Sequence, residues 1–265
     1  MASSILVRDA IFRVSSQLHD ISPQFTRWTQ RELVSWLNDG QKAIAKYMPA
    51  SCTRVDVIKL TPGTKQSIES IQSANIKPGD GSAAANVFGH FLQAVMRNMG
   101  ADGTSAGRAI RLVDREVLDV NSPDWHSVAD PVVSQWIFDP RFPKVFYVSP
   151  GVPATPAVWV EVSFLANPVE VLTSGSYGMD GSDTTKISVD DKYIDDLVNY
   201  ILARAYMKDA EFAGNANMAA AHTSMFTGSI NAQVAALTGI NPNLQSLPLN
   251  PNTAMPHQAT PVARG

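Results

Sequence analysis

Cysteine occurs once in this chain, at Cys52, so no disulfide can form within it. A lone thiol fits a protein that assembles in a reducing cytoplasm. No apolar run approaches the ~18 residues that a membrane-crossing helix needs. The stretch from Met1 to Leu18 carries Arg8, Asp9 and Arg13 and lacks the apolar core of a signal peptide. Together these absences predict a protein made and used in water, with no membrane contact. Clustered basic residues are scarce too, and the formal net charge is -3 over 265 residues. A tight, sequence-independent grip on nucleic acid requires several phosphates to be neutralised by Lys and Arg. DNA that meets this chain is therefore expected to slide past it.

Signatures of chemistry are as sparse. The five histidines, at 19, 90, 126, 222 and 257, show neither H-x-x-x-H nor H-E-x-x-H spacing. With one cysteine, no zinc site is expected. Neither G-x-x-x-x-G-K nor G-x-G-x-x-G occurs, and the glycines at 100, 103 and 107 have no accompanying lysine. No cofactor and no metal are predicted. Asp190-Asp191 and Asp195-Asp196 are carboxylate pairs, but adjacent helical residues point in different directions. They read as caps and solvated surface.

One enzyme motif matches by its letters. Gly103-Thr104-Ser105-Ala106-Gly107 satisfies G-x-S-x-G, the nucleophile elbow, which works where a buried strand feeds a strained turn and then a helix. The preceding run from Arg97 to Asp102 is no buried strand, and the βαβ rhythm of a hydrolase is missing. His126 and His222 lie downstream, so a serine hydrolase using Ser105 stays as the alternative to a protein without catalytic residues. Trp125, Trp136, Phe138, Phe146, Tyr147 and Trp159 could stack on bases, but stacking platforms sit beside basic grooves. The only basic cluster, Arg108, Arg111 and Arg115, is diluted by Asp114, Glu116 and Asp119. A packed core or a subunit interface is the better reading of these aromatics.

What is present reads as structure. Val7, Ile11, Val14 and Leu18 recur at helical spacing, predicting a helix that opens at Ser3 or Ser4 and ends before Ser22-Pro23. Thr29 and Glu32 form a capping box, with Trp28 and Leu33 as its hydrophobic staple. Trp36, Leu37, Ile44 and Tyr47 continue that apolar stripe, Asp39, Lys42 and Lys46 lie off it, and Pro49 closes the helix. The middle of the chain turns β-rich. Val55–Leu60, Trp136–Phe138, Lys144–Val148 and Trp159–Phe164 are strand candidates, the middle two forming a hairpin, while Asn75–Ala85 reads as a loop with little core to offer. Val158, Val160, Val162 and Phe164 alternate with Trp159, Glu161 and Ser163. Helix returns near Asp190 or Asp191, followed by a broad stripe of Ile194, Leu197, Val198, Ile201, Leu202, Ala205 and Tyr206. After a weak point at Gly214 and Asn215, a further helical stretch reaches about Leu237, with Gly239 placed to end it.

Beyond Ile240 prolines at 242, 248, 251, 256 and 261 interrupt the chain, and no formal charge occurs until Arg264. Such a segment is extended or polyproline-like. Leu244, Leu247 and Leu249 then have no core of their own, which points to a partner's groove; a disordered tail is the plainer reading of the same composition. The expected fold class is α+β: a helical bundle of N- and C-terminal helices (1–50 and 187–240), a β-rich insert (51–186) and an extended tail (241–265).

Several ordered stretches resemble the head-to-tail adaptor proteins of short-tailed bacteriophages, also called connector or tail tubular A-like proteins. They are Trp28–Leu33 with Trp36–Gln41; Leu60–Gln66; Arg97–Gly100, Gly107–Arg111 and Pro123–His126; Phe138–Arg141 with Pro143 and Phe146–Val148; and Asp190–Tyr193 with Arg204–Glu211. The segment from about Ser73 to Ala85 looks like an insertion relative to that pattern. The resemblance implies a virion protein of the head-tail junction, forming a ring of about twelve copies. Its partners would be the portal protein and a tail nozzle protein, with double-stranded DNA passing through without sequence-specific binding. It also implies a portal-binding tail, which would give Pro242, Leu244, Leu247, Pro248, Leu249 and Pro251 their partner.

Overall fold

The computed structural model describes residues 4–20, 27–175, 177, 183–209 and 213–240. Among these residues, five α-helices and eight strands make an α+β fold. Helices α1 (Val7–Leu18) and α2 (Gln30–Tyr47) come first, and a 3₁₀ turn at Pro49–Cys52 leads into β1 (Thr53–Lys59) and β2 (Gly63–Ser67). Next are β3 (Ile76–Pro78), β4 (Gly89–Asn98), β5 (Arg111–Leu112), α3 (Arg115–Asn121) and β6 (Gln135–Phe138). Strands β7 (Val145–Val152) and β8 (Trp159–Ala166) complete the β part, and α4 (Ile194–Lys208) and α5 (Ala213–Ile240) close the fold.

The predicted capping box of α2 is present in full. The Glu32 backbone N–H donates to Thr29 Oγ1 at 3.4 Å, and the Thr29 N–H donates back to Glu32 Oε2 at 3.1 Å. Trp28 and Leu33, the expected staple, are both buried in the helical core, and the Trp28 indole donates to the Ala205 carbonyl at 3.1 Å. The helix stops at Tyr47, two residues before Pro49. Tyr47 departs from the expected stripe: its ring is largely exposed and meets only the edge of Phe226.

Helix α1 starts at Val7, later than the serines suggested. Leu6 is extended and bridges to Lys186, and the Val7 N–H donates to the Thr185 carbonyl at 2.9 Å. Ser4, instead of capping, hydrogen-bonds the Asp191 carboxylate through its backbone N–H and its hydroxyl. Ser3 and Ser22-Pro23 lie outside the described residues. Beside the Ser4 contact, Asp190 caps a 3₁₀ turn, Asp191–Tyr193, from which α4 continues. All six stripe residues from Ile194 to Ala205 are buried, whereas Tyr206 is partly covered. Asp196 is not solvated surface as expected; it is buried and accepts from the Gln233 amide at 2.9 Å. Gly214 and Asn215 sit inside the first turn of α5, where the Asn215 amide donates to the Asp209 carboxylate at 2.7 Å. Gly239 falls within α5 and does not end it.

The strands form two four-stranded sheets, in the orders β3-β1-β8-β4 and β2-β7-β6-β5. The hairpin of β6 and β7 is antiparallel, with Trp136 opposite Val148, as the intervening turn predicted. Along β8, Val160, Val162 and Phe164 face a core that also holds Trp136, Phe146 and Val148 of the second sheet. The inner faces of the two sheets therefore fill one apolar layer. Four strands, β2, β3, β4 and β5, are not among those expected from the sequence. In β4 the pairing to β8 slips at three places between Gly89 and Arg97, so its buried residues Gly89, Leu92, Val95 and Asn98 fall three apart. Bulges of that kind erase the period of two. The single buried side chain of β2 is polar: Gln66 accepts from the Thr61 N–H at 2.8 Å and donates to the Thr61 carbonyl at 2.8 Å. The stretch from Asn75 to Ala85 is not all loop, since Ile76 is buried in β3 opposite Ile58.

A second core belongs to the helices, where Ile11, Leu37, Leu197, Ile201 and Phe226 meet Val171, Tyr177 and Ile187 of the returning chain. Gly40 lets α2 approach α4, because a Cβ there would lie 2.7 Å from Leu197 Cδ1. Beside it, the buried Asn38 amide donates to the Val171 carbonyl at 2.8 Å while its oxygen accepts from the Val171 N–H at 2.8 Å.

Asn38→Ala leaves both backbone groups of Val171 without partners and should cost about 2 kcal/mol or more, read from a shifted denaturation midpoint. Thr29→Ala should cost about 1 kcal/mol by the same measurement. The Glu32 carboxyl is held below its ordinary value of 4.5, chiefly by the Lys208 ammonium at 2.8 Å. Its contribution is thus present above the unfolded-state pKa and is lost as pH falls through the lower folded-state value. Glu32→Gln should accordingly flatten the acid limb of the stability-pH curve below about pH 4.5.

Candidate functional site

Ser105 lies in the turn that follows β4, with no helix after it until α3. Its N–H donates to Asp102 Oδ1 at 3.3 Å, and the Thr104 N–H donates to the same oxygen at 3.0 Å. The Thr104 hydroxyl bonds the other carboxylate oxygen, and these donors, that hydroxyl first, hold Asp102 at about 2. The glycines of the motif have packing reasons. Gly103 has φ +69° and a Cβ there would sit 2.8 Å from the Trp159 ring; the Gly107 N–H donates to the Asn98 carbonyl at 2.8 Å. Here G-x-S-x-G is an aspartate-centred turn laid over Trp159, without the strand and helix that strain a nucleophile elbow.

The two histidines that chain order left available are engaged elsewhere. His126 Nδ1 is 3.0 Å from Thr64 Oγ1 and its ring stacks on Trp125. His222 Nδ1 is 2.9 Å from Asn199 Oδ1, its ring lies parallel to Tyr206, and burial lowers its pKa. Among the described residues no group of three or more His, Cys, Asp or Glu is placed to hold a metal ion. Cys52 is buried, which pushes its thiol pKa up.

The aromatics of the β part are chiefly core. Trp125, Trp136, Phe146 and Trp159 are buried, and Phe138 packs on the same layer. Arg108 and Arg111 are exposed, while Arg115 pairs with Asp119 at 3.5 Å and lies over the Tyr147 ring. Further exposed cations are matched one to one by carboxylates, Arg97 by Glu161, Arg141 by Asp139 and Lys144 by Glu69. Such pairing offsets part of the positive surface, while Lys59 and Lys65, like Arg108 and Arg111, are exposed and form no salt bridge among the described residues.

A feature that sequence reasoning passed over is the length of the uncharged run. No Asp, Glu, Lys or Arg occurs from Phe212 to Ala263, so all 28 residues of α5 are without formal charge. One side of α5 packs on the bundle through Ala219, Phe226 and Ile230, while Met218 and Met225 stand exposed on another. The signal was available as a composition shift at Glu211. The six tail residues singled out from the sequence, Pro242, Leu244, Leu247, Pro248, Leu249 and Pro251, lie outside the described residues.

The buried amides of Asn38, Gln66 and Asn98 fasten the protein's own backbone, and the exposed side of α5 is uncharged and partly apolar. These features describe an α+β protein with irregular but fastened connections. The chain belongs to the SU10 adaptor protein family, whose model matches residues 6–246. It is thus a phage structural adaptor and a virion component. Among curated proteins, none matches this sequence. No helix among the described residues is long and apolar enough to cross a membrane.

Ser105→Ala should leave the unfolding midpoint and the assembly behaviour unchanged, and a fluorophosphonate probe should label wild type and variant alike at background. Labelling that disappears with the substitution would reinstate the hydrolase.

Proposed function

We propose that copies of this chain close into a ring of about twelve that joins the portal at one capsid vertex to the tail nozzle of a short-tailed phage. Double-stranded DNA passes through the ring without sequence-specific binding. The observation that carries this reading is the adaptor-family match across residues 6–246. Three features support it. Ring closure needs two different faces on each subunit, and interface cores are depleted of charge, as the outer side of α5 is. DNA must slide and not stick, and several of the exposed cations above are neutralised by neighbouring carboxylates. A tail with leucines and prolines but no charge suits a groove in another protein.

In this reading the molecule has a helical domain from 1–50 and 187–240 and a β-rich domain within 51–186, the chain from Val171 onward already packing on the helices. Residues 241–265 reach into the portal, with Leu244, Leu247 and Leu249 as the apolar anchors and Pro242, Pro248 and Pro251 keeping the segment extended. Catalysis has no part in it.

Mass photometry of the full chain mixed with the portal of the same virus tests the proposal. The portal should gain about twelve subunit masses, and a chain ending at Ile240 should lose that gain. A gain that survives truncation removes the tail anchor. No gain at any salt concentration makes the protein another tail or nozzle component.

A further inference from the structure

At the joint between bundle and sheets, the C-terminal half of α2 and the segments flanking β4 and β8 enclose a cleft of about 690 Å³. Phe88, Pro168 and Val169 form an apolar wall, and Lys46, His90 and Asn167 bring polar groups to it. Phe88 and Val169 are 53% and 56% exposed although they border the end of a paired strand. Their backbone is fixed: the Asn167 N–H donates to the Phe88 carbonyl at 2.7 Å. A rigid frame that leaves a phenylalanine and a valine in water marks a contact surface. Lys42 is already matched to Glu170 at 2.5 Å, so that end of the cleft is neutralised. On the same lining, His90 Nδ1 is buried with no hydrogen-bond partner, which buried polar atoms seldom are. The cleft therefore suits an uncharged segment that offers apolar side chains and a few hydrogen-bonding groups.

The chain carries such a segment at the right end of the molecule. Helix α5 runs antiparallel to α4, with His222 beside Tyr206 and Gln233 bonded to Asp196. Helix α2 is antiparallel to α4 as well, with Glu32 paired to Lys208 and Met48 beneath Tyr193. Ile240 thus leaves the bundle at the end where α2 borders the cleft. Packed helices are spaced ~10 Å apart, and Leu244 to Leu249 reach about 13 to 30 Å from Ile240 in extended form. Tethering raises the local concentration of a segment to the millimolar range, so even a weak contact is populated. The prolines keep the segment out of helix and sheet, leaving its carbonyls as acceptors for side chains such as those of Lys46 and Asn167.

We infer that the cleft beside Phe88 and Val169 takes the chain's own segment 242–251 in the free subunit. The contact covers the tail leucines before any partner is met. It stands independently of which protein later receives the tail.

Photo-crosslinking on the full chain tests it. A photoreactive benzoylphenylalanine placed at Phe88 and irradiated in dilute protein should give a crosslink within the monomer that maps to 242–251. The same probe at the exposed Phe142 serves as control. No crosslink above that control, or one mapping elsewhere, overturns the inference. A crosslink found only in a dimer band overturns it in favour of a second copy's tail. In parallel, Val169→Asp in the cleft and Leu247→Asp in the tail should each make thermolysin cut the tail several-fold faster, with helix content and Tm unchanged. Cutting at the wild-type rate in both variants would also refute the contact. Neither measurement involves the portal, so loss of the portal reading and loss of this contact are separately visible.

Discussion

The fold depends on closing the chain back onto α2. The polypeptide leaves the helices at Met48, builds two sheets, and must return so that α4 and α5 can complete the bundle. The Asn38 side chain holds that return by pairing in both directions with the backbone of Val171. Without it, two buried main-chain groups would lack partners on an irregular segment, where no ladder can satisfy them. Gln41, one turn on, helps in one direction only: its oxygen accepts from the Ser188 N–H at 2.5 Å, while its amide nitrogen is buried without a hydrogen-bond partner. Once the segment is held, Val171, Ile187 and Val189 enter the helical core and α4 can pack against Gly40.

Side-chain amides repeat this device in the β part. The buried Asn98 donates to the carbonyls of Arg108 and Val133 and accepts from the Val133 N–H at 3.0 Å. It ties the end of β4 to the two segments that flank α3. Gln66 closes the turn between β1 and β2 on itself. A neutral amide supplies donors and an acceptor without the desolvation cost of a charge. This gives a protein whose connections are irregular but held, which suits a molecule that must present fixed surfaces to several neighbours.

Those surfaces differ in character. The β part shows matched charges and exposed arginines, α5 shows no charge at all, and the cleft at the joint shows apolar side chains on a fixed frame. A contiguous exposed apolar patch marks a contact surface. In the sequence the neutral run extends from Phe212 through α5 to Ala263, and Met218 and Met225 stand exposed on that helix.

Residue order alone determined the helices whose stripes and caps are local: the Thr29-Glu32 box, the stripe from Ile194 to Ala205, and the alternation along β8 follow from 3.6- and 2-residue periods. It also determined the α+β class and placed the family resemblance. Only tertiary structure decided the rest. The bulges of β4 spread its buried residues three apart, so no alternation marks it. Asp196 is buried because Gln233, far along the chain, satisfies it, and Gln66 because it folds back on the backbone of Thr61 and Gly63; composition announces neither. Ser4 gave up its cap for Asp191, and the first helix therefore began three residues later than its serines implied. The G-x-S-x-G letters became a turn because Trp159, more than fifty residues away, supplies the surface beneath Gly103. Local periodicity is written in neighbouring residues; which polar groups go inside is settled only when folding brings partners to bond them.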